Sequence, residues 1–219
     1  MNLPSWWPSD KPWIIQDCLE GMKSIPTGGV DLVLTDPPYG INIGDSSRLC
    51  KERGFDAEWD KARVDLSQLF RVGKNQIIWG GNYYSLPPTR CFLIWNKENA
   101  GRDFADCEMA WTSFDKVARL FSYRPINMDG GKLHPTMKPV DLFVWILESF
   151  TNPGDIVLDP FLGSGTTLLA CRKTGRIGLG FEINPEYESI IRERSMADVP
   201  ELKGIFDWRN EPEPEVVSK

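Results

Sequence analysis

A chain of 219 residues is long enough for one sizeable core and short for two, and its hydrophobic fraction of 41% and charged fraction of 26% are those of an ordinary globular domain. A net charge of −6 argues against a non-specific nucleic-acid coat, and a single histidine excludes the multi-histidine metal sites. Five scattered cysteines, none at metal-ligand or redox spacing, predict reduced thiols and a cytoplasmic location.

From the amino end, "MNLPSWWPSDKPW" has Trp and Pro where a secretion signal needs a basic end and an aliphatic stretch. No apolar run approaches the roughly 18 residues of a membrane span. Trp6, Trp7 and Trp13 are expected to cap the core. "VDLVLTD" (30–36) then reads as a buried strand, and Pro37 and Pro38 must stop it because proline cannot continue a sheet ladder. The following segment, 41–65, is polar, charged and weakly periodic. Loops at the carboxyl ends of strands carry function in α/β folds, so this one is expected to close over a substrate.

"NQIIWGG" (75–81), "CFLIWNK" (91–97) and "CEMAWTSF" (107–114) continue the series of strands, with Trp79, Trp95 and Trp111 expected in the core. Several runs are apolar at consecutive positions, as in strands covered on both faces. Residues 45–138 hold 15 Lys and Arg against 12 Asp and Glu, a relatively basic stretch within an acidic chain. "DLFVWILESFT" (141–151), which contains Trp145, has helical spacing before the stop "NPGD". "DIVLDPF" (155–161) and "RIGLGFEI" (176–183) read as strands around a helix, "GTTLLACRKTG" (165–175), that ends at Gly175. Strands alternating with helices predict an α/β fold, a mostly parallel mixed sheet with helices on both faces.

The strongest βαβ unit is residues 152–184. Gly163 and Gly165 let the backbone turn sharply and approach a ligand. Glu182 ends the next strand nineteen positions after Gly163, where an acid accepts hydrogen bonds from the hydroxyls of an adenosine ribose. No G-K-[ST] follows, so this is not a P-loop, and Leu168 replaces the third glycine of the dinucleotide fingerprint. A cofactor with a ribose and no pyrophosphate, such as S-adenosylmethionine (SAM), suits both absences.

Beside such a cofactor the prolines acquire a meaning. An exocyclic base amine is a poor nucleophile because its lone pair is delocalised into the ring. The Asp36 carboxylate and the Pro37 carbonyl can each accept one of its hydrogens, which favours a tetrahedral nitrogen, and Pro37–Pro38 stiffens both acceptors. Tyr39 can stack on a base taken out of the helix.

Together "LTDPPYG", "HPTMKP", "DPFLGSGTT" and "GFEIN" resemble the amino-methyltransferases of DNA in their β-class arrangement, over residues 14 to about 195. The resemblance implies the Rossmann-like SAM-dependent methyltransferase fold with circularly permuted motifs, the catalytic motif early and the cofactor loop late. It implies one domain over 1–210, while the acidic composition of 211–219 predicts a disordered tail. It implicates Asp36, Pro37, Pro38 and Tyr39 in catalysis. Toward SAM it implicates Asp17 and Cys18, Thr136 and Lys138, the loop residues Asp159, Phe161, Gly163, Ser164, Gly165 and Thr166, and Glu182, with His134 a structural member of its motif. No metal is required.

One departure stands out. The target-recognition region is reduced to about 115–133, as in compact members carried by phages or mobile elements. Arg48, Lys51, Arg53, Arg119, Arg124 and Lys132 remain as candidates for contact with double-stranded DNA, and a short or relaxed target is expected. A homodimer is a further expectation, because members often dimerise. Asp36 favours adenine, since the family more often has Ser at that position for cytosine. Cytosine N4, an inactive SAM- or DNA-binding regulator, and RNA or protein amines stay open as alternatives.

Overall fold

The apolar runs lie side by side in the computed structural model, which describes residues 3–41, 63–98, 105–125 and 137–196. In chain order the elements are β1 (Trp13–Ile15), α1 (Cys18–Met22), β2 (Val30–Thr35), α2 (Ser67–Val72), β3 (Gly73–Trp79), β4 (Phe92–Asn96), β5 (Cys107–Thr112) and β6 (Arg119–Ser122). Then follow α3 (Val140–Phe150), β7 (Ile156–Asp159), α4 (Thr166–Thr174), β8 (Ile177–Glu182) and α5 (Glu188–Met196). The eight strands form one sheet in the order β1-β8-β7-β2-β3-β5-β4-β6. Pairing is parallel from β1 through β3, β5 runs antiparallel to both its neighbours, and β6 pairs parallel with β4.

The consecutive apolar residues are explained by the two covered faces. Leu32, Leu34, Ile77 and Trp79 face one core, closed by Leu142, Phe143, Ile146 and Leu147 on one side of α3. Val33, Ile78, Leu158 and Phe181 face the other, closed by Met22, Leu69 and Val72 from α1 and α2. Trp79, Trp95, Trp111, Trp7 and Trp13 are buried as expected, while Trp6 and Trp145 pack against the cores from partly exposed positions. Strands β1 and β6 were not anticipated. β1 is an apolar run of only three residues, too short to read as a strand, and β6 is exposed at three of its four positions.

Strand order reverses between β7 and β2. β7 continues to β8 on one side, and β2 to β3 on the other. The pairing Leu32↔Val157 and Val33↔Leu158 brings the carboxyl ends of these two strands together. In open α/β sheets that switch point is where ligands bind.

One guanidinium ties the ends of two helices below the sheet. Arg176, 5% exposed, donates to the carbonyls of Leu147 and Thr151 at the end of α3 and of Thr174 at the end of α4, and to Thr151 Oγ1. Helix C-termini leave carbonyls short of intrahelical donors, and this side chain adds donors there, the Leu147 carbonyl accepting from the Thr151 amide as well. Arg176→Met should lower unfolding free energy by about 2–4 kcal/mol, because several buried acceptors lose a charged donor at once. Urea denaturation checks this, and a loss below about 0.5 kcal/mol would mean that water replaces the guanidinium.

Candidate functional site

A cavity of about 310 Å³ opens at the switch point, at the low end of the range for small-molecule sites. Asp17, Cys18, Asp36, Pro38, Lys138, Asp159, Phe161, Gly163, Ser164, Thr166 and Glu182 all line it. Pro37, Tyr39 and Gly165 do not line it. Thr136, Arg48, Lys51, Arg53, Lys132 and His134 lie outside the described residues, as do residues 42–62 of the polar segment.

The cofactor side is built from backbone conformation and one acid. Gly163 and Gly165 have φ of +53° and +80°, the left-handed region that favours glycine, and α4 starts immediately after them. Across the loop, Glu182 Oε2 accepts from the Gly163 amide at 2.7 Å, and Oε1 accepts from the Asn184 amide at 2.8 Å. Each oxygen keeps lone-pair capacity for another donor. Burial raises the Glu182 pKa, and the two amides oppose it without cancelling it. Thr166 Oγ1, in the cavity wall, is buried with no hydrogen-bond partner. An orphaned buried hydroxyl at a helix start is suited to a polar ligand group.

Asp17 proves to be the N-cap of α1, its Oδ1 accepting from the Leu19 and Glu20 amides at 2.7 and 3.3 Å. Burial first, and then the Asp17 charge, push the Cys18 thiol up to about 12, so Cys18 is an inert neutral wall rather than a nucleophile. Phe143, Ile183, Asn184 and Tyr187 line the cavity too, and sequence reasoning missed them. For Ile183 a signal existed, since a hydrophobic residue directly after a strand-ending acid has no place in the sheet; it is 63% exposed.

At the other side, Asp36 and Asp159 end neighbouring strands. Asp159 is held by three donors: Thr35 Oγ1 at 2.8 Å and the Phe161 amide at 3.1 Å on Oδ1, and Thr167 Oγ1 on Oδ2. None is a cation, so burial prevails and lifts its pKa to about 6. Asp36 is treated differently. Lys138 Nζ donates to Oδ2, and the Tyr39 hydroxyl donates to Oδ1. Burial raises the Asp36 pKa and Lys138 opposes it, while the Lys138 ammonium, despite its own burial, is held above its ordinary range by Asp36 and Glu108. Lys138 therefore points to the carboxylate of the "DPPY" turn.

Tyr39 also departs from the simplest expectation. Its ring stacks on Tyr83 at 4.8 Å, with 19° between the planes. It also lies so close to Gly80 that a β-carbon there would fall 2.1 Å from the ring. One face of Tyr39 is thus covered by this protein's own aromatic. The Pro38 carbonyl accepts from the Tyr84 hydroxyl, which fixes the turn from behind.

Two of the candidate DNA contacts can be placed. Arg119 is exposed on β6, four strands from β2 and so roughly 19 Å away across the sheet at the usual strand spacing. Arg124 pairs with Glu98 at 3.0 Å, both well exposed. Among the described residues no helix is long and apolar enough to cross a membrane.

Residues 88–193 match the DNA methylase family N6_N4_Mtase. The Escherichia coli (strain K12) protein YubD is 28% identical over 204 residues, spanning 83% of this chain and 88% of that protein. The type II methyltransferase M.HpaI of Haemophilus parainfluenzae is 26% identical over 238 residues, spanning 84% and 74%. Among solved structures, the M1.HpyAVI–SAM complex superposes with a TM-score of 0.58 at 24% identity, covering 83% of this chain and 97% of that one. The cytosine-N4-specific PvuII DNA methyltransferase gives 0.59 at 19%, covering 86% and 88%. The fold is the Rossmann-like methyltransferase fold, and the resemblance carried by the four motifs is borne out.

The Asp159 environment has a consequence for stability. Its folded pKa, about 6, exceeds the value of about 3.9 for a free Asp. Between about pH 4 and 6 the folded state then binds more protons than the unfolded state, so stability falls as pH rises through that window. Relative to Asp159→Asn, the wild type should lose about 2–3 kcal/mol between pH 4 and 7, read from urea denaturation. Parallel profiles for the two proteins would show that Asp159 ionises as it does in water.

Proposed function

We propose that this chain transfers a methyl group from SAM to the exocyclic N6 amine of adenine in DNA. One juxtaposition carries the reading: an Asp-Pro-Pro-Tyr turn and a glycine loop faced by an acid end neighbouring strands and border the same cavity. The match to DNA methylases and the similarity to M.HpaI, named a type II methyltransferase, support it. So does the likeness to M1.HpyAVI, which was solved as a complex with SAM.

The cavity residues fit this cofactor. Glu182 has lone pairs for the ribose hydroxyls, Ile183 and the Asp17–Cys18 turn border a place for a flat ring, and the Thr166 hydroxyl has a hydrogen bond to give. When bound, SAM supplies a methyl group made electrophilic by its sulfonium centre.

The rest falls to the chain's own side chains. Within a duplex the amine is out of reach, so the base leaves the stack. Lys138 keeps the buried Asp36 in its ionised, accepting form, and Tyr39 holds the carboxylate's other oxygen. Asp36 and the Pro37 carbonyl then each accept a hydrogen from the amine. The charge that develops on nitrogen is met by a fixed carboxylate at no cost in reorganisation. No donor among the described residues bonds the Pro37 carbonyl, whereas Tyr84 occupies that of Pro38. Asp at position 36 favours adenine. Cytosine N4 is the second reading, because the matched family spans both amines.

Transfer of radiolabelled methyl groups from SAM to DNA tests the reading. Asp36→Ala, which removes both acceptor oxygens, should lower kcat by about 100-fold or more, the cost of losing one preorganised transition-state contact. Turnover near the wild-type rate would remove Asp36 from catalysis. Separately, Glu182→Ala should weaken SAM binding by about 1–3 kcal/mol in calorimetry; unchanged affinity would exclude Glu182 from the cofactor site.

A further inference from the structure

Behind Asp36 lies a line of charges that methyl transfer does not use directly. Lys138 Nζ contacts Glu108 Oε2 at 3.0 Å as well as Asp36 Oδ2, and Glu108 Oε1 is held by Lys97 Nζ at 2.5 Å. The Lys138 side chain is 5% exposed and that of Lys97 is 13% exposed. Each ammonium sits over a buried indole, Lys138 over Trp79 at 5.5 Å and Lys97 over Trp95 at 5.0 Å. Four chain segments converge on this line, and β5 runs in the direction that makes it possible. Being antiparallel, β5 has its amino end beside the carboxyl ends of its neighbours. Ala110 pairs with Trp79, and Met109 O accepts from the Gly80 amide, so Glu108 projects beyond β3 onto the rim where Asp36 stands.

We infer that Glu108 is a positioning residue: anchored by Lys97, it fixes Lys138, and Lys138 fixes the Asp36 carboxylate at the cavity. An ammonium has three donors on a flexible stem and one carboxylate does not orient it. Two carboxylates on opposite sides do. Glu108 does not line the cavity, so its effect passes through Lys138. Burial would raise the Glu108 pKa, but Lys138 and Lys97 outweigh it and bring it to about 2, which keeps the anchor charged at any working pH.

The kinetic arm of the test rests on the proposed methyl transfer; a second arm does not. Asp36 is faced by Lys138 from the segment before α3, Glu108 from β5, Tyr39 from its own turn, and Asp159 from β7. Tyr83 lies beyond Tyr39, and Lys97, after β4, beyond Glu108. Glu108 raises the pKa of Asp36 and also that of Lys138, the one by repulsion and the other by attraction. Removing its charge with Glu108→Gln should therefore move both midpoints down. In cofactor-free protein, carboxylate NMR should show Asp36 titrating at lower pH than in the wild type. With SAM and DNA, kcat and kcat/KM should fall together by roughly 10- to 100-fold, the scale of a small misplacement of a reacting group, and the acid limb of the kcat profile should shift to lower pH. SAM affinity should hold. Glu108→Asp keeps the charge at shorter reach and should fall between the two.

Wild-type kcat in Glu108→Gln, or a lower kcat with unmoved Asp36 titration and an unmoved acid limb, would overturn the inference, the second result being that of a merely structural ion pair. Should Glu108→Gln fail to fold, wild-type kcat in Glu108→Asp would overturn it equally. A wild-type protein that methylates no DNA would instead sink the functional reading, and the NMR comparison would still decide whether Glu108 controls Asp36.

Discussion

Two carboxylates at the ends of neighbouring strands must leave water together, and the site is organised around that constraint. Like charges so close cannot both be cheap, and burial makes each dearer. The chain solves the problem in two ways. Asp159 receives three neutral donors and no cation, which satisfies its oxygens and leaves its pKa near 6. Asp36 receives an ammonium that is itself held by a second carboxylate. Burial raises both pKa values, but only Asp36 has a cation beside it, and that difference assigns the two acids different tasks. Asp159 becomes a structural hub under the glycine loop, and Asp36 a charged acceptor at the cavity.

Chain order is irrelevant to this arrangement, whereas sheet order is not. The acceptor turn follows β2 early in the sequence, and the glycine loop follows β7 some 120 residues later, yet β2 and β7 are paired neighbours. What the chemistry needs is that two strand ends meet at a reversal of strand order. A permuted chain meets that need as well as an unpermuted one. The antiparallel β5 adds something a parallel strand could not, because among the described strands it alone begins at the functional rim.

Much of this was legible in local sequence, and the reason differs by element. Strands β2, β3, β7 and β8 were visible because burial on both faces demands consecutive apolar residues, and β4 and β5 because each still carries a short apolar run. The loop at Gly163 and Gly165 was visible because positive φ demands glycine, and Glu182 because a βαβ unit fixes its distance from that loop. Glu108 and Lys97 were not visible. A single acid in "CEMAWTSF" reads as an exposed position on a half-covered strand, and only the pairing of β3, β5 and β4 brings it to Lys138. Tyr39 was legible as an aromatic at the turn, but its partner Tyr83 comes from a 3₁₀ turn over forty residues away. Interactions between distant segments leave no local periodicity to find.

The same physics separates amine methylation from its nearest chemical rival. Methylation at a ring carbon of cytosine requires a thiolate nucleophile. Cys18, in the cavity wall, has its thiol pushed to about 12, and Cys171 is raised further by burial. The site offers acceptors for hydrogens on nitrogen instead. The most direct measurement is therefore mass analysis of nucleosides from DNA incubated with the protein and SAM. The account predicts methylation on an exocyclic amine, as N6-methyladenine, with N4-methylcytosine the outcome of the second reading. A methyl group on cytosine C5, or DNA with no methylated base, would contradict it.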